Sequence, residues 1–215
     1  MSLIFLASRN PKKLEELRRV LTAVPVAVEV IGPDDVEPYP EPAETEPTFE
    51  GNALIKARAA VAATGLPSLA DDSGLCIDAL NGMPGVLSAR WAGTGKDDVA
   101  NTTLVLEQLT DVPDDRRGAE FRCAIALCLP DGREEMTVGA VRGSIIRERR
   151  GSGGFGYDPI FVAEGHTATS AELTPQDKDR ISHRGQALRA MAPLVTAAVT
   201  DSGRATRSGS GMCGR

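Results

Sequence analysis

The chain has 215 residues, of which 41% are apolar and 25% charged, and its formal net charge is −6. That length suffices for one sizeable core, and the composition is that of a folded globular protein rather than a disordered or fibrous one. The negative balance argues against binding to duplex nucleic acid, which needs a basic face. It leaves room for a small phosphorylated ligand in a local basic pocket.

No apolar run approaches the roughly 18 residues of a membrane span, so no transmembrane helix and no membrane partner is expected. The opening Met1-Ser2-Leu3-Ile4-Phe5-Leu6-Ala7 lacks a basic leader, so it reads as a core strand and not as a signal peptide. Cys76, Cys123, Cys128 and Cys213 show neither CxxC nor zinc spacing. The first three lie in apolar runs and are expected to be buried free thiols, which fits a reducing cytoplasm.

In chain order, Leu3 to Ala7 predicts a short buried strand. Asn10 then caps a helix with Pro11 at its first position, running to about Ala23. Val26 to Ile31 predicts a second strand, and the five prolines of residues 32–47 predict an extended loop. Thr48 caps a second helix to about Ala63, ended by Gly65. Residues 66–80 predict two strands flanking an Asp-Asp-Ser-Gly turn. A Gly-rich loop follows over Asn81 to Gly95, and a third helix over Asp97 to Gln108.

From Glu120 to Leu129 the pattern alternates, with Phe121, Cys123, Ile125, Leu127 and Leu129 on one face. Pro130-Asp131-Gly132 turns this strand into a hairpin with Glu135 to Val141. A second Gly-rich loop spans 149–158, before a strand from Pro159 to Ala163. Thr174-Pro175 starts a short helix, and Ser182 precedes a longer one to about Val199, with a kink expected at Pro193. Residues 201–215 hold little to bury and predict a disordered tail. The pattern is a mixed α/β domain over residues 1–200, with helices covering a twisted mixed sheet.

Five groups of residues carry candidate chemistry. Ser8-Arg9-Asn10-Pro11-Lys12-Lys13 joins a strand to a helix N-terminus, where free N–H groups and lysines suit a phosphate. The plain alternative is a capped helix with solvated lysines. Thr48, Asn52 and Lys56 share one helical face beside the apolar stripe Phe49, Ala53, Ala57 and Ala60. Here the alternative is a solvated polar edge, and Glu44 and Glu46 lie just upstream.

The third group is Asp71-Asp72-Ser73-Gly74, where buried carboxylates need a positive partner. The pair is a candidate for holding a divalent cation, activating water, or both. In a regular strand the two would face opposite ways, so only a turn or bulge would bring both to one cation. An Asp-turn bonded to its own backbone is the alternative.

The fourth, Gly151 to Pro159, formally matches GxGxxG, but a strand follows it where a dinucleotide site requires a helix. Its glycines would instead let backbone approach a flat ligand, with Phe155 or Tyr157 as a stacking surface; a mobile loop is the alternative. Gly93-Thr94-Gly95-Lys96-Asp97 fails as a P-loop, because Arg90 stands where the first glycine belongs and Asp97 where Ser or Thr belongs. The fifth is Ser182-His183-Arg184-Gly185 with Lys178 upstream, either a reader of a base edge or phosphate or a capping turn with a surface histidine.

Taken in order, these blocks, together with Pro84-Gly85 and Ser88-Ala89-Arg90, resemble the inosine triphosphate pyrophosphatase family over residues 3 to about 199. The resemblance implies an elongated two-lobed α/β domain with a central twisted mixed β-sheet flanked by helices and a nucleotide cleft between the lobes, as a cytoplasmic homodimer. It implies Mg²⁺-dependent hydrolysis of ITP, dITP or XTP to the monophosphate and pyrophosphate, cleansing the nucleotide pool. Asp72 would be general base and magnesium ligand, Asp71 a supporting residue, and Glu44 the upstream metal carboxylate. Ser8, Arg9, Asn10, Pro11, Lys12, Lys13 and Lys56 would hold the triphosphate, with Lys56 also stabilising the leaving pyrophosphate. Ser73, Phe155, Gly156, Tyr157, Asp158, Lys178, His183 and Arg184 would hold base and sugar.

The family often has Glu-Thr-Gly before its Thr-Phe, and here Glu44-Thr45-Glu46-Pro47 stands instead, so Glu46 competes with Glu44 as metal carboxylate. A pyrophosphatase of the Maf type is a neighbouring reading, against which the Phe-Gly-Tyr-Asp and Ser-His-Arg blocks speak. A non-catalytic nucleotide sensor would use the same phosphate-binding elements but would not need metal carboxylates.

Overall fold

The computed structural model of the chain describes residues 2–22 and 28–208. Among these residues six strands form one mixed sheet in the order β2-β1-β3-β4-β5-β6. They are β1 (Ser2–Leu6), β2 (Val28–Ile31), β3 (Ser68–Ile77), β4 (Gly118–Cys128), β5 (Glu134–Ile145) and β6 (Phe161–Ala163). The β1 strand runs parallel to β2 and β3, and the remaining pairs are antiparallel. Among the described residues five α-helices flank the sheet: α1 (Pro11–Thr22), α2 (Phe49–Thr64), α3 (Asp98–Gln108), α4 (Pro175–Ile181) and α5 (His183–Ser208).

Local chemistry explains the helix ends. Asn10 Oδ1 accepts from the backbone N–H of Lys12 and Lys13, Thr48 Oγ1 from that of Gly51, and Thr174 Oγ1 from that of Asp177. Each satisfies N–H groups that have no partner inside the first turn. Gly65 closes α2 in the left-handed conformation at φ 68°.

The strand β3 alternates strictly, and this sorts the core. One face carries Leu69 into a cluster with Ile4, Leu6, Ile125, Leu127, Leu188 and Met191. Further along the same face, Leu75 and Ile77 join Val105, Leu109, Phe121 and Phe161. The opposite face packs Ala70, Ala124 and Ala126 under Phe49, Ala53 and Ala57 of α2. Full burial of each large apolar side chain contributes about 1.5–3 kcal/mol before entropy is subtracted. Between the two clusters on the first face stand Asp71 and Ser73, so the polar break in β3 falls where the apolar core divides.

Several expectations are corrected. The two strands and turn expected over 66–80 are one continuous strand, β3. Ser73-Gly74 does not turn; Gly74 is needed because a Cβ there would sit 2.4 Å from Gly85 O and from Ser88 Oγ. The expected loop over 81–95 contains a 3₁₀ turn at Gly85–Arg90, and that over 32–47 one at Pro33–Asp35. Pro159 and Ile160 lie in a 3₁₀ turn (Asp158–Ile160), so the following strand begins at Phe161. Pro193 lies inside α5, which continues past Val199 to Ser208. Cys123 and Cys128 are buried free thiols, but Cys76 is only half-buried. The expected ends at Ala23 and Val26, residues 209–215 of the expected tail, and Cys213 lie outside the described residues.

Candidate active site

Adjacent residues of a regular strand point to opposite faces, and this divides Asp71 from Asp72. Asp71 is 4% exposed and faces α1 and α5. Its Oδ2 accepts from Lys13 Nζ at 3.0 Å and from Arg184 Nε at 3.3 Å. Burial would push its pKa up, but the charges of Lys13, Arg184 and Lys56 outweigh burial and hold it well below the usual carboxylate range. Asp71 is therefore a fixed anion. Arg184 also donates through Nη2 to Ser73 Oγ at 2.8 Å and through Nη1 to Glu16 Oε2. Burial lowers its pKa, yet Glu16 and Asp71 more than compensate and keep it charged.

Asp72, 6% exposed, faces α2. Its Oδ1 accepts from Lys56 Nζ at 3.0 Å and its Oδ2 from Asn52 Nδ2 at 3.3 Å. Burial raises its pKa, and the opposing charges of Lys56 and Lys13 do not cancel that rise. A carboxylate with a raised pKa is better placed to take a proton than its fully stabilised neighbour. Lys56 is only 8% exposed. Burial lowers its pKa, but Asp72, Asp71 and Glu44 raise it further, so it remains an ammonium.

Glu44 arrives on the Pro-rich loop. Its Oε1 accepts from Lys56 Nζ at 3.1 Å and its Oε2 from Arg90 Nη1 at 2.8 Å. Burial raises its pKa, and Lys56 and Arg90 bring it below the ordinary value. Glu46 is exposed and points elsewhere, with its carboxylate beside Gly51. Its backbone is gripped by Asn52, which accepts from Glu46 N at 2.9 Å and donates to Glu46 O at 3.1 Å.

Glu44 and Asp72 thus converge on one cationic point. Oxygen-only donors of this kind suit magnesium, which is commonly held by one or two carboxylates together with substrate phosphates. Among the described residues no group of three or more His, Cys, Asp or Glu forms a ready-made metal cage. The residues present fit a cation that arrives with a phosphorylated ligand.

At the other end of the cleft, Phe155 presents its ring beneath two cations. Lys178 Nζ lies 4.7 Å and Arg184 Cζ 5.6 Å from the ring centroid. Lys178 Nζ also lies 2.6 Å from Asp158 Oδ2, which accepts from Phe155 N at 2.8 Å. Burial raises the Asp158 pKa against the pull of Lys178. Gly154 has φ 68°, and a Cβ there would meet Asp158 Oδ2 at 2.1 Å. Tyr157 is buried, with its hydroxyl donating to Ser88 O at 2.8 Å, so Phe155 is the open ring of the expected pair. His183 stacks on Phe121 at 4.9 Å with an interplanar angle of 7°. Burial, followed by the Arg184 and Lys178 charges, pushes its pKa well below the ordinary value, so the imidazole is neutral.

One cleft of about 470 Å³ runs between these two ends, with Glu16, Glu46, Asn52 and Arg90 outside its lining. Its walls include Ser8, Arg9, Asn10, Pro11, Lys12 and Lys13 at the α1 entrance. There Asn10 caps the helix, Lys12 Nζ is 3.4 Å from Gly154 O, and Arg9 donates to Tyr39 O. The cleft also takes in Glu44, Lys56, Asp71, Asp72 and Ser73, then Phe155, Gly156, Tyr157, Asp158, Lys178, His183 and Arg184. The cleft takes in the expected phosphate, base and Asp71-Asp72 residues together with Glu44, whereas Glu46, Thr48 and Asn52 do not border it. Glu16 received no role in advance, Asn52 stood only as a member of the Thr48, Asn52 and Lys56 face, and Arg90 only in the Ser88-Ala89-Arg90 block. Glu16 lies one helical turn beyond Lys13 on the same face of α1, which is a usable signal; Arg90 carries no local mark of its pairing.

A sequence model described as the Ham1 family matches residues 4–194. A dITP/XTP pyrophosphatase from Nocardia farcinica is 59% identical over 198 residues, covering 92% of this chain and 96% of that protein. A crystal structure of a nucleoside-triphosphatase, dITP/XTP pyrophosphatase, from Mycobacterium abscessus is 57% identical with a TM-score of 0.73, covering 89% of this chain and 99% of that one. A Ham1 protein from Coxiella burnetii is 45% identical with a TM-score of 0.82, over 92% of this chain and 100% of its own.

Proposed function

The chain belongs to the Ham1 family, and from that premise we propose that it hydrolyses the non-standard purine nucleoside triphosphates dITP, ITP and XTP to the monophosphate and pyrophosphate. The observation that carries this reading is Asp72: a buried carboxylate with a raised pKa, held by Lys56 and Asn52 and set opposite Glu44. Asp72 and Glu44 would hold Mg²⁺, which when bound neutralises charge on the phosphate oxygens.

The chain's own residues supply the rest. Asp72 takes a proton from the attacking water. Lys13 and Lys56 each carry three donors; those not used on Asp71, Asp72 and Glu44 stabilise charge on the departing pyrophosphate. Asp71 holds Lys13 and Arg184 in place. Phe155 stacks on the purine. His183, being neutral, offers one N–H; a 6-oxo group can accept it, whereas the 6-amino group of ATP leaves a buried donor unpaired, which discriminates strongly against adenine. Pool cleansing, a cytoplasmic setting and a homodimeric state are part of the same proposal; among the described residues no helix is long and apolar enough to cross a membrane.

The test is pyrophosphate release by the purified protein with Mg²⁺ and dITP, ITP, XTP, GTP and ATP in parallel. Release fastest with the first three is expected. Orthophosphate in place of pyrophosphate would overturn the reaction class.

A further inference from the structure

The loop that carries Phe155 is anchored from outside by α3. Gly156, at φ 59°, donates its backbone N–H to Asp98 Oδ2 at 2.8 Å. Thr102, one turn along the same helical face, has its hydroxyl 2.5 Å from Asp98 O and 3.4 Å from Gly156 O. Its single proton goes mainly to the nearer Asp98 carbonyl, so the carboxylate of Asp98 is the principal side-chain hold on Gly156. On the other side of Phe155, Asp158 accepts from the Phe155 N–H. The peptide bearing the ring is therefore gripped from both sides by a carboxylate, one buried and one exposed.

We infer that Asp98 is a positioning residue for base recognition: it holds Gly156 so that Phe155 stands at a fixed height in the cleft. Asp98 itself borders that cleft. It is dispensable for α3, because the cap of that helix is Asp97, whose Oδ1 accepts from Val99 N at 2.8 Å and Ala100 N at 3.1 Å. Removing the Asp98 carboxylate frees the loop without uncapping the helix. A looser Phe155 must be ordered each time a purine stacks on it, and that cost falls on binding of the base and not on the phosphate end. The inference rests on the functional reading above only in taking the Phe155 end as the base subsite.

The experiment is calorimetric titration of the wild type, Asp98→Ala and Asp98→Asn with two probes, inosine monophosphate and inorganic pyrophosphate, both with Mg²⁺. Neither probe requires turnover. Asp98→Ala is expected to weaken inosine monophosphate about tenfold, the scale of one hydrogen bond to a charged group, with pyrophosphate affinity unchanged. Asp98→Asn retains an acceptor oxygen and is expected to recover most of the loss. Unchanged inosine monophosphate affinity in Asp98→Ala, or equal weakening of both probes, would overturn the inference. So would an Asp98→Asn variant as weak as Asp98→Ala. Failure of the wild type to release pyrophosphate from dITP would instead count against the functional reading, so the two failures are distinguishable.

Discussion

Lys56 Nζ lies 3.0 Å from Asp72 Oδ1, and the same ammonium reaches Glu44 Oε1 at 3.1 Å. One cation is shared by a carboxylate from the middle of the sheet and another from a surface loop. Both carboxylates raise the Lys56 pKa, Asp72 responds to Lys56 and Glu44, and Glu44 is set by Lys56 and Arg90.

Lys56→Met should therefore destabilise the fold by about 3 kcal/mol, the lower end for removing one partner of a buried ion pair. It takes the paired ammonium from the buried Asp72, which keeps the neutral donor Asn52, while Glu44 keeps Arg90. Added Mg²⁺ should recover part of the loss by binding the native state. Thermal unfolding with and without Mg²⁺ checks this, and an unchanged midpoint would refute it.

Asp72→Asn keeps the shape of the side chain and its contact with Asn52 while removing the base. Pyrophosphate release should fall at least about a hundredfold, the usual scale for loss of a general base. Release at the wild-type rate would remove Asp72 from that role.

Glu44→Gln and Glu46→Gln separate the two upstream acids. Glu44→Gln should raise the Mg²⁺ concentration for half-maximal activity by at least about tenfold, because even residues behind the ligands have effects of that size. Glu46→Gln should leave it unchanged, since its carboxylate lies outside the cleft. The reverse result would assign the metal to Glu46.

His183 makes stability depend on pH. Its folded pKa lies well below that of the unfolded chain, so below about pH 6.5 the unfolded state binds a proton that the native state refuses. Stability through this group is fully present above that pH and declines as pH falls towards the folded pKa, by up to about 1.4 kcal/mol per unit. His183→Phe retains the stack on Phe121 and should flatten the profile between pH 6.5 and 5. Parallel denaturation profiles for the two proteins would show that His183 contributes nothing to the pH dependence.

Much of the architecture is legible in the residues themselves. Asn10, Thr48, Asp97 and Thr174 announce their helices, and the alternation from Phe121 to Leu129 announces the central hairpin. The Ser73-Gly74 pair misleads because its residue types favour turns, while here Gly74 serves the close approach of the Gly85–Arg90 turn. That reason lies across the fold and leaves no local trace. The same holds for the site. The lysines and aspartates stand out as clusters, but the pairing of Arg90 with Glu44 joins residues 46 apart, and that of Arg184 with Glu16 joins residues 168 apart. Only the folded chain brings such partners together.

The alternation of β3 has a consequence for how the gene can vary. Asp71 and Asp72 are separated by one peptide, about 3.8 Å between Cα atoms, yet they serve helices on opposite sides of the sheet. Inserting or deleting one residue between Pro67 and Asp71 would turn each of them to the opposite face. Asp71 would then face α2 and Asp72 would face α1 and α5, each away from the cations that set its charge state. A frame-preserving one-codon indel there would move both carboxylates in a single step, which no single substitution along the strand can do.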